Sequence, residues 1–132
     1  MEIDYEKAFD RVEHTFLFKT LKAMGFGDYL IRLIKIAFTG CMSYANVNGY
    51  LSEPIYLLRG LHQGIPLSPI IFLIVAQVFT VKMYSNTNTE GLTVSGIPVM
   101  QSLFADDTDL LLKASVGCVS AVVQELQLFG KL

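Results

Sequence analysis

Apolar residues recur at helical steps in several stretches of the chain. From Asp10 to Met24, Val12, Phe16, Leu17, Leu21 and Met24 follow three- and four-residue steps, the period of one face of an α-helix. Gly25 then predicts the C-terminal stop, because glycine readily takes the left-handed conformation that closes helices. A second helix is expected from Asp28 to Phe38, with Asp28 as its N-cap and Leu30, Ile31, Leu33, Ile34 and Ala37 as its apolar face. Leu67 to Tyr84 is apolar on nearly all sides, which predicts a long buried helix with Pro69 in its first turn. Val116 to Phe129 predicts a final helix.

Shorter apolar runs between the helices read as strands. Met1 to Asp4 predicts a strand end, and Ser43–Val47 and Ile55–Leu58 predict two more. Asn48-Gly49 between them is a turn signal, within a connection expected to be longer than a two-residue hairpin. Arg59 to Pro66 is a loop with two glycines, and Ser85 to Glu90 is a polar loop. Val99–Ala105 and Thr108–Leu112 flank Asp106-Asp107, which predicts a hairpin with two acids at its tip. The order βααββαββα predicts an α+β fold with helices on one face of an antiparallel sheet.

Composition narrows the class. The chain has 132 residues, of which 52% are hydrophobic and 17% charged. That is one domain's worth of chain, and too apolar for intrinsic disorder. The greasiest run, Pro69 to Val81, contains Gln77 and Thr80 and falls short of the roughly 20 residues that cross a membrane. The N-terminus carries acids and no basic flank leading into an apolar run, so no signal peptide is expected. With only Cys41 and Cys118, and no Cys/His cluster, neither a zinc site nor a disulfide framework is indicated. These features predict an intracellular protein, in nucleus or cytoplasm, in a reducing compartment. The net charge is −2, whereas a self-sufficient nucleic-acid-binding domain usually carries a basic patch.

The candidate chemistry lies in the acids. Asp106 and Asp107 interrupt the greasy segment between Phe104-Ala105 and Leu110-Leu111-Leu112. Adjacent carboxylates repel, and gain from a shared site only if a cation compensates them. A solvated Asp-Asp turn is the plainer reading of that pair. Asp4 sits at another strand end, where it is either a helix cap or a third carboxylate facing the same cleft. Three carboxylates from neighbouring strands can hold two divalent ions, and hard oxygen donors suit Mg²⁺. Gln63-Gly64 pairs an amide with a residue that lets a ligand approach the backbone, or else forms a structural turn.

Together these segments resemble reverse transcriptases, specifically those of non-LTR (LINE-type) retrotransposons. Asp4-Tyr5-Glu6-Lys7-Ala8-Phe9-Asp10-Arg11-Val12 is similar to the first catalytic box. Arg59-Gly60-Leu61-His62-Gln63-Gly64-Ile65-Pro66-Leu67-Ser68-Pro69 is similar to the second, and Phe104-Ala105-Asp106-Asp107 to the third. Val47-Asn48-Gly49 and Phe129-Gly130 also resemble that family, so the likeness runs over essentially the whole chain.

The resemblance implies the palm subdomain of a right-hand polymerase, with a ferredoxin-like α+β fold over residues 1–132. The preceding fingers, the later palm motifs and the thumb would lie outside these residues. It implies RNA-templated DNA synthesis by two-metal nucleotidyl transfer, using two Mg²⁺ (or Mn²⁺) ions. Asp4 and Asp106 would bind the metals, Asp107 would complete the triad, and Tyr5 would lend a backbone carbonyl. The amides of Lys7 and Ala8 would face the triphosphate, and Phe9 would lie beside the sugar, excluding a 2′-hydroxyl. Gln63 and Gly64 would contact the incoming nucleotide and template. The partners of the full-length protein would be an RNA template, a DNA primer and deoxynucleoside triphosphates, with no membrane. Alone, the 132 residues are expected to be an inactive remnant.

Other readings remain open at this stage. Phe9 can be a core residue, Gln63 a plain loop residue, and the Lys7 side chain solvent-facing. His14 and His62 have no partner spacing and read as structural or surface residues. A non-catalytic nucleic-acid- or partner-binding module and a purely structural α+β domain are the alternatives to an enzyme. Within enzymes, an RNA-templated RNA polymerase is the nearest competitor, and Phe9 argues against it through the sugar.

Overall fold

Four helices and nine short strands form among the residues that the computed structural model describes, which are 1–4, 7–104 and 107–130. The chain runs through β1 (Glu2–Asp4), α1 (His14–Ala23) and α2 (Asp28–Phe38). Four two-residue strands follow: β2 (Met42–Ser43), β3 (Asn46–Val47), β4 (Tyr50–Leu51) and β5 (Ile55–Tyr56). Then come α3 (Leu67–Ser85), β6 (Leu92–Val94), β7 (Ile97–Val99), β8 (Gln101–Phe104), β9 (Asp107–Leu110) and α4 (Val116–Phe129). The central sheet is antiparallel with order β1-β9-β8. Three separate two-stranded ribbons pair β2 with β5, β3 with β4, and β6 with β7. The arrangement is compatible with the expected α+β class.

Two apolar clusters hold these elements together. Leu17 and Leu21 of α1, Ile34 and Phe38 of α2, Leu61, and Ile71, Phe72, Val75 and Ala76 of α3 form the larger one. Phe79 and Met83 of α3 meet Leu110 of β9 and Val122 of α4 in the other, with Ile3 of β1 packed against them. The sheet therefore lays one face on α3 and α4. Burial of one side chain the size of Phe38, fully enclosed here, contributes about 1.5–3 kcal/mol.

Several elements depart from the periodicity, each for a physical reason. The first helix starts at His14, not Asp10. The backbone before it is engaged elsewhere: the amides of Asp10 and Arg11 donate to the Lys7 carbonyl, and the Val12 carbonyl accepts from Gly60. Its end is as expected. Gly25 takes φ +81°, its amide donates to the Lys22 carbonyl, and that of Phe26 donates to the Leu21 carbonyl, a Schellman closure.

The second helix matches its expected span, but Gly27 is the N-cap and Asp28 lies in the first turn, where a carboxylate complements the helix dipole. Only Ile34 and Phe38 are buried; Leu30 and Leu33, expected on the apolar face, are exposed. The third helix is not buried all round either. Ile70, Leu73, Val81 and Tyr84 face outward, because α1 and α4 cover it on one side only. This 19-residue helix is long and apolar enough to cross a membrane by length and composition, and its covered stripe is core.

Both remaining surprises are hairpins. Asn48 (φ +53°) and Gly49 (φ +88°) form a two-residue turn closing the Val47↔Tyr50 pair, shorter than expected. Left-handed geometry at both positions matches the strand twist. Ser95 and Gly96 repeat it between β6 and β7, a ribbon that the periodicity does not predict.

Candidate active site

The acids sit on the central sheet. Antiparallel pairing makes Asp4 the Cα partner of Asp107, Ile3 that of Thr108 and Glu2 that of Asp109. Strand β9 alternates strictly: Thr108 and Leu110 are each 1% exposed, while Asp107 and Asp109 are open to solvent. Period-two geometry thus presents Asp107 on the side of the sheet away from the core. Asp107 is also paired with Phe104 of β8, so it opens a strand instead of standing at the hairpin tip. The expected site residues Tyr5 and Asp106 lie outside the described residues, and so does the side chain of Asp4. Among the described residues, no three His, Cys, Asp or Glu side chains converge as a metal site.

The first and second boxes are stitched together by their backbones. Lys7 takes φ +55° and starts a turn whose side chains alternate in fate. Lys7 is exposed, Ala8 is buried and Phe9 is half-buried. The Leu61 amide donates to the Phe9 carbonyl at 2.8 Å, and the Gly60 amide to that of Val12 at 2.8 Å. His14 adds a buried bond from Nε2 to the Gly60 carbonyl oxygen at 2.9 Å. Gly60 is required here on two counts. Its φ is +93°, and a Cβ would stand 3.0 Å from the Asp10 carbonyl oxygen. On the far side of the loop, the Ser68 hydroxyl donates to the His62 carbonyl, and the His62 ring stacks on Phe38 at 5.8 Å.

This stitching opens a cleft of about 440 Å³ lined by Phe9, Gln63, Gly64, Ile65, Pro66, Ser68 and Pro69. Three of the residues expected at the nucleotide, Phe9, Gln63 and Gly64, therefore line one cleft. Gln63 and Gly64 are exposed, and Gly64 has φ +88° with open space where a Cβ would stand. Lys7 and Ala8 are not among the lining residues. The Phe9 ring stacks on Phe72 at 5.0 Å between centroids. Sequence reasoning did not single out Gly60, and it treated His14 as structural or surface. A glycine at the second position of the second box was the available signal for the close approach.

The sequence matches the reverse transcriptase (RNA-dependent DNA polymerase) family over residues 1–131. The chain belongs to that family. Among curated proteins it is 31% identical over 111 residues to the transposon TX1 uncharacterized 149 kDa protein of Xenopus laevis. It is 32% identical over 112 residues to the retrovirus-related Pol polyprotein from type-1 retrotransposable element R2 of Popillia japonica. It is 30% identical over 115 residues to the corresponding polyprotein from type-2 retrotransposable element R2DM of Drosophila melanogaster. These matches take in 84%, 84% and 87% of the chain but only 8%, 18% and 11% of the relatives. The chain spans less than a fifth of the length of each of them. The resemblance to non-LTR retrotransposon enzymes, carried by the three motifs, is borne out.

Proposed function

We propose that this chain is the palm of an RNA-templated DNA polymerase and carries its metal-binding centre. The observation that carries this reading is the Asp4↔Asp107 pairing on β1 and β9, and a cleft that gathers Phe9, Gln63 and Gly64 supports it. Directly opposed residues of an antiparallel pair project from one face of the sheet, with Cβ atoms about 5 Å apart. That spacing suits two carboxylates sharing divalent ions, with Asp106 as the third ligand and the Tyr5 carbonyl as a further oxygen. The donor set is all oxygen, which fits Mg²⁺ or Mn²⁺. When bound, such a pair of ions stabilises the attacking and leaving oxygens of an in-line phosphoryl transfer.

The protein's own groups do the rest. The Lys7 and Ala8 amides face the triphosphate, and Gln63 and Gly64 hold the incoming nucleotide and template against the cleft. The Phe9 ring occupies the space of a 2′-hydroxyl and so admits deoxynucleotides. The sheet order β1-β9-β8 with α3 and α4 on one face supports a ferredoxin-like palm. The net charge of −2 supports a further reading. Phosphate contacts dominate nucleic-acid affinity, so the 132 residues alone hold template poorly and extend primers negligibly.

Grafting tests the function. Placed in a reverse transcriptase of the same family in exchange for the matching segment, the chain should support primer extension on RNA with Mg²⁺ and deoxynucleotides. Asp106→Ala should abolish it. A folded graft that binds primed RNA yet never extends it would contradict the proposal.

A further inference from the structure

We infer that Phe72, a residue outside all three motif cores, sets the nucleotide-sugar selectivity of the cleft by fixing how far the Phe9 ring projects into it. The inference rests on the nucleotide-site reading above and adds a positioning residue to it.

Phe9 lines the cleft with Gln63 and Gly64 and packs against the main core. Its backbone is anchored by the Leu61 amide donating to its carbonyl at 2.8 Å. That bond fixes the Cα and leaves the side-chain torsions free. The ring is backed by Phe72, with centroids 5.0 Å apart and planes at 30°. Phe72 belongs to the buried stripe of α3 and is 6% exposed. It stands among Ile71, Val75 and Ala76 in the main core, so it cannot retreat. Phe72 itself is not among the residues lining the cleft.

The geometry is that of a wedge on a rigid stop. A flat aromatic face against Phe9 defines one resting position for its ring. An aliphatic side chain in place of Phe72 removes that face and opens room behind the ring. Phe9 then settles back toward α3, and the cleft widens on the side where a 2′-hydroxyl would lie. The expected signature is a change in the ratio of deoxy- to ribonucleotide affinity. A residue with a merely structural role would weaken both nucleotides alike and leave the ratio alone.

The test uses the 132-residue chain with Mn²⁺ and either dATP or ATP, followed by equilibrium titration. Unsubstituted protein should prefer dATP. Phe72→Leu should lower the dATP-to-ATP affinity ratio about fivefold, as expected for loss of one ring-sized contact. Phe72→Tyr, which keeps the flat face, should preserve the ratio. Phe72→Met fills a core gap without a ring, so it should lower the ratio and serves if the leucine variant does not fold. An unchanged ratio in a folded Leu or Met variant overturns the inference alone. No dATP binding by the unsubstituted chain overturns the nucleotide-site reading and the inference with it.

Discussion

Asp4 and Asp107 occupy the same rung of the β1–β9 ladder. Like charges directly opposed across two strands destabilise a pair, so the proposed metal site implies a rung that is costly without a cation. In the presence of a chelator, Asp107→Asn should therefore raise stability, by about 0.2–1 kcal/mol. Urea unfolding of the two proteins in chelator measures this. A loss of stability on substitution would show that Asp107 makes a favourable contact in the metal-free fold, against the account.

Gly60 is where the second box presses on the first. Its φ of +93° and the 3.0 Å approach of a Cβ to the Asp10 carbonyl oxygen leave no room for a side chain. Gly60→Ala should cost about 1–3 kcal/mol, the range of a strained backbone position. Gly117 is the contrasting case, since it lies in α4 with nothing within 4 Å of its Cβ position. Gly117→Ala should stabilise by about 0.4–1 kcal/mol. Thermal unfolding of both variants checks the pair, and a tolerated Gly60→Ala would refute the packed contact.

His14 ties α1 to the second box through the Gly60 carbonyl. His14→Ala removes that donor from a buried acceptor, at a cost of about 1–3 kcal/mol. Hydrogen exchange localises the effect. The amides of Gly60 and Leu61, which donate to Val12 and Phe9, should lose protection before those of α4. Uniform loss across the chain would mean that His14 supports the core generally and is not a latch between the boxes.

How far the sequence was legible follows from what each element depends on. The spans of α2 and α4 could be read because their limits are local: an acid, Asp28, in the first turn of one, although Gly27 is its cap, and Ser115 capping the Cys118 amide in the other. The start of α1 could not. Val12 keeps the helical period and is buried, but its carbonyl is taken by Gly60, far along the chain. Periodicity does not register such a partner. The ribbon β6–β7 escaped notice because its strands are short and exposed, and Pro98 in β7 is a residue that weakens a strand prediction.

For the site, the residue types came from the motifs, whereas their grouping came from the fold. Phe9, Gln63 and Gly64 converge because α3, Gly60 and His14 hold the two boxes together. Asp107 reads as a hairpin tip in sequence. It becomes a strand residue because its pairing with both Phe104 and Asp4 continues the ladder through it.

The central claim is that the acids at residues 4, 106 and 107 share divalent ions, and Mn²⁺-dependent stability tests it most directly. A ligand that binds only the folded state raises its stability. Millimolar Mn²⁺ should therefore raise the Tm of the 132-residue chain, and Asp4→Asn or Asp107→Asn should each remove most of that increment. An increment that survives both substitutions, or none in the unsubstituted protein, would contradict the claim.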